Sequence, residues 1–319
     1  MTDTMPSPKP PLLGKSIIGC DWSVCQGAPD VKRVADAGVS FVIAKATQGE
    51  SYVDPTFNRN IGELAKFGVE RGAYHWLSSG GDVKKQIANY VNAIRGKLSM
   101  PWAVDFEEQA GRGPAWLAKC VAFVKGVQDL TGAKGMLYTG KWYWLANVVD
   151  DSPELASMPL WHAEYPSLNR GGASLLDYQT AVMQLPSDGP HIAPPWESRG
   201  LGASIWQFDG DKGLVLPGGT DSDFDLFMGT EAEWSAFLRD PQPHKLLAKV
   251  FVPTIVNVQK LLLSLGYDLG PSGADGSPGP MTTAAVKKYQ GLHALQVDGQ
   301  VGPNTTKAML QDWQALQAA

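Results

Sequence analysis

Asp105 and Glu107 stand two residues apart in the run Pro101-Trp102-Ala103-Val104-Asp105-Phe106-Glu107-Glu108. The run reads as a short buried strand that ends in acid. Side chains alternate faces along a strand, so the two carboxylates point one way and Val104 and Phe106 the other. Their Cα atoms then lie roughly 6.6 Å apart, at about 3.3 Å of rise per residue. A carboxyl pair on one face at a strand end suits glycosidic bond cleavage, in which one acid protonates the leaving oxygen and the other supports the developing cation. A D-x-E pattern arises by chance about once in a chain of this length, so its weight comes from what surrounds it.

Short apolar runs predict strands at Ser16–Asp21, Val39–Ala44, Val69–Trp76, Trp102–Glu107, Met136–Tyr138, Leu160–Tyr165, Thr180–Leu185 and Ser204–Phe208. Helical patterns fall between the earlier ones, at Pro29–Ala37, Phe57–Phe67, Asp82–Ile94 and Ala115–Leu130, with Asp82 as an N-cap. Three of these helices are stopped by glycine just before the next strand, at Gly38, Gly68 and Gly132. This rhythm predicts parallel strands with crossover helices, an α/β fold. Asp21, Lys45, His75, Asp105, Glu107, Tyr138, Trp161 and Gln207 gather at strand C-termini, where a β/α barrel builds its site. A doubly wound open sheet is the alternative, but no glycine-rich phosphate loop follows the first strand.

Composition narrows the function. Of 319 residues 44% are apolar and 18% charged, with a net charge of −5, enough for a large core and no basic surface. No run of five Lys or Arg occurs, which argues against nucleic acid as a partner. No apolar stretch reaches membrane-spanning length, and Met1–Pro11 lacks a signal-peptide core, so synthesis in the cytoplasm without a leader is expected. Three cysteines (Cys20, Cys25 and Cys120) suggest buried thiols and no disulfide framework. The histidines have no zinc-site spacing, and no G-x-S-x-G elbow is present. Asp221-Ser222-Asp223-Phe224-Asp225 begins like a calcium loop, but Leu226 and Ala232 stand where Gly and Glu are needed. No metal, cofactor or membrane partner is expected, and the chain is read as a monomer.

Residues 1–14 read as a disordered lead, 15–229 as the barrel domain, 230–250 as a linker around Pro241 and Pro243, and 251–319 as a small all-α three-helix module. In the module a loop occurs twice, offset by 23 residues: Asp275-Gly276-Ser277-Pro278-Gly279-Pro280 and Asp298-Gly299-Gln300-Val301-Gly302-Pro303. Each copy leads into a helix. The module is too small and too poor in titratable groups to be an enzyme.

With these pieces in hand, residues 16–228 resemble the glycoside hydrolase family 25 lysozymes, the Chalaropsis-type N-acetylmuramidases. The resemblance is carried by Gly19-Cys20-Asp21-Trp22-Ser23, Phe41-Val42-Ile43-Ala44-Lys45-Ala46-Thr47, Tyr52-Val53-Asp54-Pro55-Thr56-Phe57 and Gly72-Ala73-Tyr74-His75-Trp76. Val104-Asp105-Phe106-Glu107, Leu160-Trp161-His162-Ala163-Glu164-Tyr165, Trp206-Gln207-Phe208 and Asp223-Phe224-Asp225-Leu226-Phe227 complete it. It implies a modified, incomplete TIM-like barrel. It implies Glu107 as general acid, Asp105 as its partner, and Asp21 and Asp223 as further carboxylates, with Asp221 and Asp225 competing for the last place. Tyr74, Trp161 and Tyr165 would line the sugar groove. From their places at strand ends Lys45, Tyr138 and Gln207 are expected to meet the substrate too, and His75 is either a further contact or a hydrogen-bonded structural histidine, the two readings being equal. Gln48 departs from the family, which carries Glu there. Chitinases share the barrel and the D-x-E, but Ala103 stands where they need a further Asp.

The same resemblance implies a retaining reaction on bacterial peptidoglycan, in which the sugar's own acetamido oxygen attacks while Asp105 assists; a carboxylate nucleophile is the other route. Residues 250–315 resemble the peptidoglycan-binding type 1 module, through Val258-Gln259-Lys260-Leu261, the two repeated loops and Ala285-Val286-Lys287-Lys288-Tyr289-Gln290. Together these imply a phage lysin released by a holin. A wall-binding protein on a silent barrel, or a bacterial autolysin or effector, are the alternatives.

Overall fold

Apolar strands joined by glycine-stopped helices close on themselves in the computed structural model. It describes residues 16–168, 176–177, 181–182, 184–186, 189–210, 214–216, 220–243 and 254–318. The first part of the chain runs β1 (Ile18–Trp22), α1 (Val31–Asp36), β2 (Phe41–Gln48), β3 (Tyr52–Val53), α2 (Phe57–Lys66), β4 (Glu70–Trp76), α3 (Val83–Ile94), β5 (Trp102–Asp105), α4 (Gly113–Thr131) and β6 (Gly135–Gly140). Gly38, Gly68 and Gly132 take φ of 92°, 69° and 67°, the left-handed turn that ends each helix. The Asp82 side chain caps α3 by accepting from the Lys84 amide.

After β6 the regular alternation stops. A helical turn Lys141–Tyr143, a π-helical turn Trp144–Val148 and a turn Pro153–Ala156 lead to β7 (Leu160–Ala163). β8 (Ala203–Asp209) and β9 (Asp223–Phe227) follow, and then α5 (Glu231–Arg239). Ala181 and Val182 lie in a helical turn, so the strand expected over Thr180–Leu185 is not formed there; Thr180 itself lies outside the described residues. The short strands Leu176–Asp177, Leu214–Leu216 and Thr220–Asp221 make a separate sheet.

The ring order is β1-β2-β4-β5-β6-β7-β8-β9, closed by the β9–β1 pair, with β3 attached outside to β2. Every neighbouring pair in the ring is parallel except those made by β9, which runs antiparallel to both β1 and β8. The incomplete β/α barrel is therefore present, with one reversed strand that the rhythm of the sequence did not announce.

The barrel interior is filled by Ile17, Phe41, Ile43, Met100, Ala103, Met136, Ile205 and Phe227. Trp234 and Phe237 of α5 belong to the same cluster, with Trp234 5.1 Å from Phe41 and 5.0 Å from Phe227, ring centre to ring centre. A linker beginning at residue 230 does not fit this packing. Residues 231–239 are a barrel helix, stopped just before Pro241, and two buried aromatic rings hold it in place.

The chain separates into two compact units, one built on the barrel and one on the C-terminal helices. The second comprises α6 (Ile255–Ser264), α7 (Pro280–Leu292) and α8 (Pro303–Ala318), packed around Val258, Leu261, Leu262, Val286, Tyr289 and Met309. The repeated loops have a structural cause. The Gln259 amide nitrogen reaches Asp275 Oδ1, Ser277 O and Thr282 Oγ1, while its oxygen accepts from the Gly276 amide. Gln290 does the same with Asp298, Gln300, Thr305 and Gly299. Each loop is thus locked by one buried glutamine, which satisfies backbone and side-chain groups that would otherwise be orphaned.

Candidate active site

Strand parity decides which side chains meet. Ala103 and Asp105 of β5, Met136 and Tyr138 of β6, Trp161 and Ala163 of β7, and Tyr74 of β4 alternate with outward neighbours and face the interior. Asp105 pairs in register with Trp76 and Tyr138, at the C-terminal mouth. Glu107 follows two residues later on the same side. Asp21 is the penultimate residue of β1, and the reversal of β9 sets its first residue, Asp223, directly opposite Asp21. Four sequence-predicted carboxylates therefore share one rim.

Asp21 is held by a network. Gln207 Nε2 donates to Asp21 Oδ2 at 2.6 Å, and Gln207 Oε1 accepts the hydroxyls of Tyr138 and Tyr165 at 2.7 Å each. Two phenol donors on the oxygen fix the amide's orientation, so its N–H must face the carboxylate. Lys45 donates to Gln48 Oε1 at 2.8 Å and lies 5.0 Å from the Trp76 ring centre. Because its partner is a neutral amide, its charge stays available to the carboxylates. Asp105 Oδ1 is buried and has no hydrogen-bond partner among the described residues.

Electrostatics separates the acids. Burial, then Asp223, pushes Glu107 from 4.5 up to about 7, against the pull of Lys45. Burial and then Glu107 push Asp105 well above the carboxylate range, again opposed by Lys45. Asp21 is raised by burial and then by Asp223 and Asp225, with the Gln207 hydrogen bond acting the other way. Glu107 is the more open of the D-x-E pair, and it keeps its proton close to neutrality, as a general acid requires.

Asp225, left in competition by the sequence, also faces inward. It is fully buried and accepts from Trp161 Nε1 at 2.7 Å. It therefore lies below Asp223, which takes the rim position; the Asp221 side chain lies outside the described residues. Trp161 is only 2% exposed. It forms the floor beneath the site, edge-on to Tyr74 and Tyr138, and presents no open face to a sugar.

His75 is misplaced as a substrate contact. It is completely buried, bonded to Thr47 Oγ1 at 2.7 Å and Gln86 Oε1 at 3.2 Å, and stacked on Phe123 of α4. A bulge between Lys45 and Thr47 turns Lys45 to the mouth and Thr47 outward to His75. Glu108, next to the acid, accepts from the Ser79 amide and so holds a loop. Cys20 and Cys120 are buried as expected, but Cys25 is exposed, and all three are free thiols. Among the described residues no group of His, Cys, Asp and Glu is arranged to hold a metal ion.

A carboxylic acid protonated to about pH 7 among further carboxylates, at the mouth of a β/α barrel, is the equipment of a glycoside hydrolase. Comparison with known sequences narrows this class: the profile of glycosyl hydrolases family 25 matches residues 20–191, and the chain belongs to that family. It is a glycosidase. A peptidoglycan binding domain matches residues 252–309. The uncharacterized protein YegX of Escherichia coli O157:H7 is 30% identical over 230 residues, 70% of this chain and 74% of that protein. An autolytic lysozyme of Clostridium acetobutylicum is 27% identical over 301 residues, 92% of this chain and 78% of its own length. The fold is that of a family GH25 lysozyme from Aspergillus fumigatus, with a TM-score of 0.55 at 20% identity, over 70% of this chain and 99% of that one.

Proposed function

We propose that the protein is a lysozyme that hydrolyses the β-1,4 bond between N-acetylmuramic acid and N-acetylglucosamine in bacterial peptidoglycan. The observation that carries this reading is the pairing of Glu107, protonated to about pH 7, with Asp105, whose inward Oδ1 has no partner among the described residues. Glu107 gives its proton to the glycosidic oxygen as that bond breaks. The acetamido oxygen of the muramic acid residue attacks the anomeric carbon from the opposite face, and Asp105 Oδ1 accepts the acetamido N–H. Burial raises the proton affinity of Asp105, but a protonated Glu107 no longer adds to it and Lys45 opposes it, so the Asp105 carboxylate forms against the cyclic cation and stabilises it. Water, deprotonated by the Glu107 carboxylate, then opens the ring, and configuration is retained. Asp223 raises the proton affinity of Glu107 from the rim, and Asp21 orients the Gln207 amide.

The direct test of the acid is Glu107→Gln, which should stop clearing of a sacculus suspension while folding persists. A covalent sugar adduct on Asp105, trapped with a slow fluorosugar and seen by intact-protein mass spectrometry, would replace the acetamido route with a carboxylate nucleophile. The helical module is the wall anchor in this reading, and tethering raises the local concentration of the barrel at its substrate. Delivery as a phage lysin belongs to the same proposal. It predicts that expression inside a susceptible bacterium lyses the cell only when a holin is supplied; lysis without one would favour an autolysin.

A further inference from the structure

The aromatic residues around the carboxylates are mostly closed to a ligand: Tyr74, Tyr138 and Trp161 are 9%, 5% and 2% exposed. Trp142, which the sequence reading passed over, is 50% exposed. Its position follows from a glycine. Met136 and Tyr138 face the interior, so the next residue of that parity, Gly140, faces the mouth. The Trp142 indole fills the space a Gly140 side chain would take, with Nε1 2.3 Å from where a Cβ would stand. Any other residue at 140 would push the ring away. Tyr165 is seated the same way over Gly210, whose Cβ would lie 2.8 Å from the phenol oxygen.

Trp142 is also tied to the general acid's loop. Its ring stands edge-on to Tyr143 at 5.8 Å. The Tyr143 hydroxyl donates to Glu108 O at 2.9 Å and accepts from Trp116 Nε1 at 2.7 Å. Phe106 N donates to Tyr138 O, and Thr139 Oγ1 donates to Phe106 O, so Glu107 leaves β5 alongside Gly140. The half-open indole therefore borders the mouth on the side where Glu107 delivers its proton.

We propose that Trp142 is the stacking platform for the sugar on the leaving-group side of the cleaved bond, an N-acetylhexosamine pyranose. This inference rests on the glycosidase reading above, in which Glu107 protonates the oxygen of the leaving sugar. The sugar carrying that oxygen must lie beside Glu107, and among the described residues Trp142 is the open aromatic face there; Tyr165, 38% exposed, is tied through Gln207 to the Asp21 side. A pyranose ring presents C–H groups that pack on such a face.

The test compares two substrates in wild type, Trp142→Ala, Trp142→Phe and Gly140→Val, with folding checked by circular dichroism. One is a tetrasaccharide of alternating N-acetylglucosamine and N-acetylmuramic acid. The other is an aryl glycoside that has no sugar on the leaving side. The expected result is that kcat/KM for the tetrasaccharide, relative to the aryl glycoside, falls about tenfold in Trp142→Ala. The loss should sit in KM, Gly140→Val should reproduce it, and Trp142→Phe should restore most of it. Equal losses on both substrates, or none on either, would overturn the proposal. If the wild type cleaves neither, the glycosidase reading fails, and calorimetric titration of the tetrasaccharide decides this one separately: equal affinity in wild type and Trp142→Ala would overturn it.

Discussion

Asp223 faces Asp21 residue for residue across the antiparallel pair of β9 and β1. This juxtaposition depends on the reversal of one strand, which brings a strand's first residue to the rim where its neighbours end. Its electrostatic consequence reaches further, because Asp223 raises the proton affinity of both Asp21 and Glu107.

Asp223→Asn removes a negative charge that raises the proton affinity of Glu107, so Glu107 should lose its proton more easily. The alkaline limb of the kcat/KM profile should move to lower pH, by about one unit or less. A pH–rate profile over the neutral range measures it. An unmoved limb, or one displaced upward, contradicts the assignment of Asp223 to the rim.

Glu107→Gln should lower kcat about 10²-fold or more. It should also change the pH dependence of stability. The folded chain keeps the Glu107 proton between 4.5 and about 7, where the unfolded chain gives it up. Folding takes up a proton there, and stability falls as pH rises through that window. The glutamine variant lacks this loss, so it should gain on wild type across the window by on the order of 3 kcal/mol at most. Urea melts at several pH values test it; curves that stay parallel would place the raised proton elsewhere.

His75 should behave as a packing residue. Replacing it with Leu leaves Thr47 and Gln86 without their buried partner, at a cost of about 2–4 kcal/mol. Burial pushes its imidazole down to about 4. Its depressed value means that this stabilisation is present above about 6.5 and is lost as pH falls through about 4. In the still-folded variant kcat/KM should stay within about twofold of wild type, far from the loss expected at Glu107. A large fall in kcat would return His75 to the site.

The barrel's lower end gives a prediction about boundaries. A chain cut after Pro243 keeps α5 and should retain hydrolysis of soluble glycan oligomers, while losing activity on intact sacculi. A chain cut after Gly229 loses the Trp234 and Phe237 rings that cover Phe41 and Phe227. Each such ring is worth about 3–5 kcal/mol, so that fragment should be insoluble or unfolded. Equal stability of the two fragments would return 231–239 to the linker.

Much of the site could be read from residue order because strand parity and glycine stops are local. Asp105, Glu107, Lys45 and Tyr138 follow from alternation along strands whose ends the glycines mark. What could not be read depends on distant packing. His75 stands at a strand end, but it follows the inward Tyr74, so alternation turns it outward, where Thr47, brought round by the bulge in β2, and the Phe123 ring receive it. Trp161 sits on the correct face yet too deep, since only the closed barrel reveals that Asp225 lies beneath Asp223. Trp142 was missed because its place is dictated by what Gly140 lacks. The repeated Asp-Gly loops were visible, but Gln259 and Gln290, which lock them, stand at different distances from their loops and break the repeat.

The bond that is cleaved defines the enzyme. Purified sacculi digested with the enzyme, reduced with borohydride and analysed by mass spectrometry report which sugar carries the new reducing end. Reduced N-acetylmuramic acid ends are expected, and they should be absent after treatment with Glu107→Gln. Reduced N-acetylglucosamine ends, or released peptides with intact glycan strands, would contradict it.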